Sequence, residues 1–372
     1  MLKPSVHIIA AICCLAFSSV ETYSQPIPFD SERWEISARE SKVIDHLGRK
    51  SLYLKSGLAT IKDAQFTDGV IEFDIAVTGE RGFAGAFWRM QDNANYEEFY
   101  IRPHQSGNPD ANQYTPVFNG IAAWQLYYGE GYGAPVKYDF NQWMRVKIVV
   151  AGVNAEVYIK DMETPALFIN EQKREINSGK VGLSVGNFAP GYYSNFSFTP
   201  MNSPKLKGTA KTPQPAPEGT VRSWMVSNVF DGKTLEKKYQ LTAGDKQQLS
   251  WKKLACESTG LANLARVQGA SENANTVFAK LIISSDREQV KKIKFGFSDA
   301  VKVYCNDRLL YGGSDIFQSR DYRFLGTIGL FDEVYFPLQQ GDNELLLAVT
   351  ENFGGWGLKA QFEDMEEIKI EE

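Results

Sequence analysis

The sequence predicts an all-β protein: two β-sandwich (jelly-roll) domains joined by a proline-rich linker. Three observations carry this reading. Short runs of alternating apolar residues, punctuated by turn residues, fill most of the 372 positions. No amphipathic helical period of any length interrupts them. The segment 199–220 holds five prolines and almost no large apolar side chain, so it cannot pack a core and is expected to run as an extended spacer.

Taken in order, residues 1–24 read as a signal peptide. Lys3 supplies the positive start, 8–17 an apolar run, and Ser18, Ser19 and Ser24 small residues before a cut at Gln25. The run is far short of the roughly 20 residues that span a bilayer. Cys13 and Cys14 lie deep within it behind the bulky Ile12, which argues against lipidation. The expectation is a secreted or periplasmic protein with no integral membrane segment after processing.

The first domain is expected over 26–198, with strands at 51–54, 58–61, 69–77, 83–90, 97–101, 122–128, 143–150, 155–159, 179–185 and 193–199. Asp68-Gly69, Thr78-Gly79, Asn119-Gly120 and Ser178-Gly179 supply turn chemistry between them. The second domain is expected over 221–365, with strands at 276–285, 292–297, 301–304, 308–311, 344–350 and 356–362. Cys305-Asn306-Asp307 reads as a tight hairpin turn. Spacing leaves open whether Cys256 and Cys305 pair.

Composition bounds the partners. An apolar share of 43% lets both domains bury a core, and 13% aromatic residues favour flat binding surfaces. A net charge of −5 has the wrong sign for a phosphate backbone, which excludes nucleic acid as the expected partner.

The densest chemistry lies at 95–128. Period-2 alternation over 97–104 places Glu98, Tyr100, Arg102 and His104 on one face and Phe99 and Ile101 on the other. Arg89, on the face shared with Gly85 and Phe87, is expected beside them. Gln113, Asn119, Gln125 and Tyr127 come from the following loop and strand, where Trp124 reads as core before platform. Rings can cover the C–H faces of a polyhydroxylated ligand while amides and Arg102 bond its hydroxyls, so this pattern points to a carbohydrate or glycan. Glu98 is the candidate acid or base, with Arg102 as substrate clamp. The competing reading is an exposed cross-strand ion pair, worth under about 1 kcal/mol. In the second domain, Asn352-Phe353-Gly354-Gly355-Trp356 couples aromatics to a glycine hinge, which reads either as an end-loop sugar site using Trp356 or as a loop capping its own sandwich.

Several chemistries lack their residues. Glu72-x-Asp74 is followed by Ala76 and Val77, so the third carboxylate of an E-x-D-x-E hydrolase strand is missing, and the pair is expected on a solvated face. After position 24 only His46 and His104 remain, with no G-x-S-x-G or H-E-x-x-H. No cofactor or metal is assigned. Structural calcium stays open, although only Asp110 supplies charge near Asn108.

Phe29-Asp30…Trp34, Phe66-x-Asp68-Gly69-x-Ile71-Glu72-Phe73-Asp74, Phe87-x-Arg89, Tyr96…Phe99-Tyr100, Trp143 and Gly179-x-Val181-Gly182-Leu183 carry a resemblance. On them the first domain resembles concanavalin A-like lectin/glucanase domains, in the laminin-G-like branch with family 16-like and keto-disaccharide hydrolase domains. The resemblance implies a two-sheet jelly roll whose concave sheet or edge loops meet sugar, in a group where many members only bind. Val303-Tyr304-x-Asn306 and Leu338-x-x-Gly341-x-Asn343-x-Leu345 make the second domain similar to the galactose-binding-like jelly rolls of β-glycosidase accessory regions. The expectation is an exported carbohydrate-binding protein acting in glycan capture or degradation. The alternatives are a glycoside hydrolase or lyase using Glu98, and an adhesion or scaffold module whose protein partner is unknown.

Overall fold

The structure, a computed structural model, describes residues 25–212, 214–321 and 323–371. The expected signal peptide lies outside them. Twelve strands build the first half: β1 (Trp34–His46), β2 (Arg49–Ile61), β3 (Gly69–Ala76), β4 (Ala84–Asp92), β5 (Asn95–Ile101), β6 (Asn112–Phe118), β7 (Ile121–Ala122), β8 (Met144–Ala151), β9 (Asn154–Ile159), β10 (Leu167–Ile169), β11 (Lys180–Val185) and β12 (Gly191–Pro200). They pair antiparallel in the order β10-β9-β8-β3-β12-β2-β11-β4-β5-β6-β7, with β1 on β2.

This sheet wraps one apolar core that includes Leu52, Ile61, Phe73, Trp88, Phe99 and Tyr193. Each such side chain, taken out of water, contributes about 1.5–3 kcal/mol. Alternation sets which face the rest of each strand shows. Phe99 lies opposite Ala86 and Tyr114, whereas Glu98 lies opposite Phe87 and Thr115, and Tyr100 opposite Gly85 and Gln113. A Cβ at Gly85 would sit 1.9 Å from Phe99 O, so only glycine lets β4 approach β5 beside Tyr100.

Eleven strands build the second half: β13 (Ser223–Ser227), β14 (Trp251–Ala255), β15 (Leu261–Asn263), β16 (Thr276–Ser285), β17 (Gln289–Ser298), β18 (Ala300–Cys305), β19 (Arg308–Ser314), β20 (Asp332–Leu338), β21 (Gly341–Thr350), β22 (Gly357–Phe362) and β23 (Ile368–Ile370). One sheet runs β14-β13-β16-β21-β18-β19 with β23 on β16, and the other β15-β22-β17-β20. Their facing sides share a core of Val277, Phe295, Val303, Leu347, Phe362 and others, a β-sandwich. Cys256 and Cys305 are both free thiols.

Several expectations need correction. The runs at 51–54 and 58–61 are one continuous strand, β2. The run at 122–128 is not a strand. β7 stops at Ala122, and Leu126 N and Tyr127 N both bond back to Ala123 O, a turn that spends the backbone donors a ladder would use. Glu72 and Asp74 are buried rather than solvated, because Arg145 reaches Glu72 at 2.9 Å and Arg49 reaches Asp74 at 2.5 Å. Part of the proline-rich segment is tied down: Lys207 N and Gly208 N donate to buried Glu156 on β9, and Lys211 N to Asn170.

The two halves touch through buried chemistry. Phe118 of β6 packs into the second core, with the Arg174 and Arg266 guanidinium carbons 4.4 and 4.9 Å from its ring centroid. Lys173 pairs with Glu257 at 2.8 Å.

Candidate functional site

β5 ends at Ile101, and Arg102 leads into a single 3-10 turn, Pro103–Gln105. Arg102 N bonds to Ala111 O, which closes the loop and keeps the Arg102 side chain beside Tyr100. The guanidinium carbon sits 5.5 Å from the Tyr100 ring and 5.4 Å from the Trp124 ring. Its Nη1 meets Asp110 at 3.2 Å, and its Nη2 bonds Gln113 Oε1 at 3.3 Å and Tyr100 Oη at 3.4 Å. Arg102 is thereby fixed as a flat, charged plate between two rings.

Above this plate lies a hollow of about 320 Å³. Tyr100, Arg102, His104 and Asp110 belong to it from the first half, with Arg81, Phe83 and Trp124 beside them; Phe317, Leu325 and Phe353 close it from the second half. Phe83 lies edge-on to both Tyr100 and His104, at 5.5 Å each. Trp124 meets Phe353 across the boundary at 5.9 Å, and Phe353 meets Phe317 at 6.3 Å. Burial, then the nearby Arg81 and Arg102 charges, hold the His104 imidazole below its ordinary value, so it is neutral at pH 7. On the far side of Trp124 and Phe353 lies a second, wider hollow of about 750 Å³, lined by Asn187, Asn275, Asn352 and Glu272 among others. The two aromatic rings form the ridge between them.

The residues expected to bind thus separate into three groups. Tyr100, Arg102 and His104 meet in the first hollow, and Gln113 stands behind Arg102, donating to Tyr127 O and Tyr114 O. Asn119, Gln125 and Tyr127 hold the two halves together instead. Asn119 donates to Ala265 O at 2.8 Å, and Gln125 to Leu325 O at 2.7 Å. Tyr127 is 1% exposed and donates to Glu257, while its oxygen accepts from Asn263. The turn that replaced the expected strand aims Gln125 and Tyr127 at the second half, and the β6–β7 connection carries Asn119 there.

Arg89 and Trp356 are interior. Arg89 adopts φ 51° where the β4–β5 register shifts, which breaks the alternation and turns its side chain onto Thr67 O, Asp68 and Gly152 O. Trp356 is fully buried in the second core, its Nε1 donating to Val349 O. Of that loop, the neighbouring Phe353 reaches the hollow.

Glu98 shares the Tyr100 face of β5 and is half-buried. Burial pushes its carboxyl up to about 7, with the Ser184 hydroxyl opposing the rise. No second carboxylate is among the groups that shift it. Among the described residues, no three His, Cys, Asp or Glu side chains are grouped to hold a metal ion.

No protein-family model and no curated protein matches the chain. Solved structures do resemble part of it. The carbohydrate binding module CBM66 from Bacillus subtilis is 17% identical over 45% of this chain and 94% of its own, with a TM-score of 0.35. A Bacillus licheniformis beta-glucanase is 11% identical over 49% of this chain and 99% of its own, TM-score 0.35. A Bacillus subtilis protein of unknown function with a galectin-like fold is 11% identical over 48% and 97%, TM-score 0.35.

Proposed function

We propose that this protein is an exported carbohydrate-binding protein that holds a glycan in the cleft where its two sandwich modules, about 26–198 and 221–365, meet. The observation that carries the reading is the first hollow: five aromatic side chains, Phe83, Tyr100, Trp124, Phe317 and Phe353, line it together with the fixed Arg102–Asp110 pair. Rings of this kind cover the apolar faces of a pyranose, and the guanidinium and carboxylate at their centre bond hydroxyls. Retention on polysaccharide beads tests it. An Arg102→Ala/Trp124→Ala double variant that folds should lose retention, and retention equal to wild type would refute the reading.

Glu98 supports a second reading, a glycoside hydrolase or lyase. A carboxyl lifted to about 7 on the same sheet face is suited to giving or taking a proton near neutrality. Release of reducing sugar, abolished by Glu98→Gln while retention persists, would establish it. No release from a glycan that the protein retains would leave binding alone.

A further inference from the structure

We infer that the glycan held in this cleft is acidic, and that Arg81 recognises its carboxylate. The inference rests on the carbohydrate reading and names the substrate class of the same site.

The charges in the first hollow do not cancel. Arg102 and Asp110 neutralise each other at 3.2 Å, both largely buried. His104 is held neutral by burial and by the cations beside it. Arg81 remains. It lies on the rim of the hollow, exposed, and makes no ion pair among the described residues. Its guanidinium carbon is 4.7 Å from the Phe188 ring and 6.0 Å from the Phe83 ring, so aromatics brace the guanidinium while no carboxylate among the described residues pairs with it. A chain of net charge −5 therefore presents one uncompensated cation in its aromatic hollow. Beneath it, Arg102 Nε and His104 Nδ1 are buried without partners among the described residues.

The second hollow offers no such cation. Its lining holds Glu272, Glu351 and three asparagines, and no Lys, Arg or His. A saccharide crossing the Trp124–Phe353 ridge is consequently oriented: its uronate unit lies on the Arg81 side, and a neutral unit lies among the amides. Neutral glycans gain the ring contacts but leave Arg81 unpaired.

The test uses the full chain and oligosaccharides bearing galacturonate, mannuronate or glucuronate. Each is compared with the same oligosaccharide after its carboxylates are reduced to alcohols. Calorimetry should show at least one uronate probe binding about tenfold more tightly than its reduced form. Raising NaCl should shrink that gap. Arg81→Gln should bring the acidic probe down to the affinity of the reduced one, while Arg81→Lys keeps part of the preference. Equal binding of acidic and reduced forms, or a preference that survives Arg81→Gln, overturns the inference and leaves the carbohydrate reading intact. No binding of either set on these or neutral glycans overturns both.

Discussion

Lys173 and Glu257 form an ion pair between the two halves of the chain, Nζ to Oε2 2.8 Å, with side chains only 3% and 11% exposed. Burial works against the Lys173 charge, but Glu257, Tyr132 and Glu171 outweigh it and hold its pKa above the ordinary lysine value. Glu257 also accepts from Tyr127, so one carboxylate ties the cation and the phenol of the first half to the second. Removing one partner of such a pair leaves the other charge buried, which costs about 3–5 kcal/mol. Glu257→Gln should therefore destabilise the protein by about 3 kcal/mol, near the low end, because Glu171 still reaches Lys173 at 2.7 Å. Urea unfolding measures this. A loss below about 1 kcal/mol would mean that the pair does not hold the two halves together.

Phe353 offers a cleaner probe of the cleft than any buried ring. It is 52% exposed, yet it contacts Trp124 and Phe317 at the mouth of the first hollow. Phe353→Ala should leave stability within about 0.5 kcal/mol. An aromatic contact of this kind is worth about 0.5–1.5 kcal/mol, so glycan affinity should fall roughly two- to tenfold. Unchanged affinity across the glycans that bind would place the sugar elsewhere.

Gly354, next in the chain, is needed for two separate reasons. Its φ is +93°, and a Cβ there would lie 2.4 Å from Gln125 Oε1 and 2.8 Å from Trp124 Nε1. Gly129 has a similar φ of +89° with open space around it. Backbone strain alone costs about 1–3 kcal/mol at either site. Gly354→Ala should exceed Gly129→Ala in lost stability and should also weaken glycan retention, since the clash displaces Trp124. Equal losses from the two variants, with retention intact, would show that the Gln125–Gly354 contact does not position the ridge.

How much of this was legible beforehand depends on whether the cause is local. Thr276–Ser285 is read correctly because both its faces follow a simple alternation bounded by turn residues. β1 is invisible for the opposite reason: WEISARESKVIDH is mostly exposed and polar, and its strand form comes from pairing with β2 along its length. At the site, Tyr100 and Arg102 emerge from alternation within one strand and its exit. Arg81, Phe83 and Trp124 do not, since loops and turns bring them in. Phe317 and Phe353 are unreadable at this level, because they reach Tyr100 only after two sandwiches have packed together. Arg89 and Tyr127 mislead where a register shift and a turn break the period.

The loop that carries Phe353 is held by two buried acids, and this gives stability a pH dependence. Asp299 Oδ2 accepts from Asn352 N and Phe353 N, each at 2.6 Å, and Glu351 Oε1 accepts from Gly355 N at 3.3 Å. Glu351 Oε2 is buried without a partner among the described residues. Burial, and then the neighbouring Asp299, push the Glu351 carboxyl up to about 8; burial pushes Asp299 up to about 6 against the pull of the loop amides. A carboxyl raised on folding binds its proton more tightly in the folded state than in the unfolded state. Its stabilising effect is therefore complete below the unfolded value of 4.5 for glutamate and is lost as the pH climbs through the folded value. Unfolding free energy should drop by about 2 kcal/mol between pH 5 and pH 8, allowing for relaxation around the charged form. Glu351→Gln keeps the shape without the titration, so it should flatten most of that slope and be more stable than wild type at pH 8. Urea midpoints at the two pH values decide the matter. A Glu351→Gln slope as steep as wild type would assign the pH response to other groups.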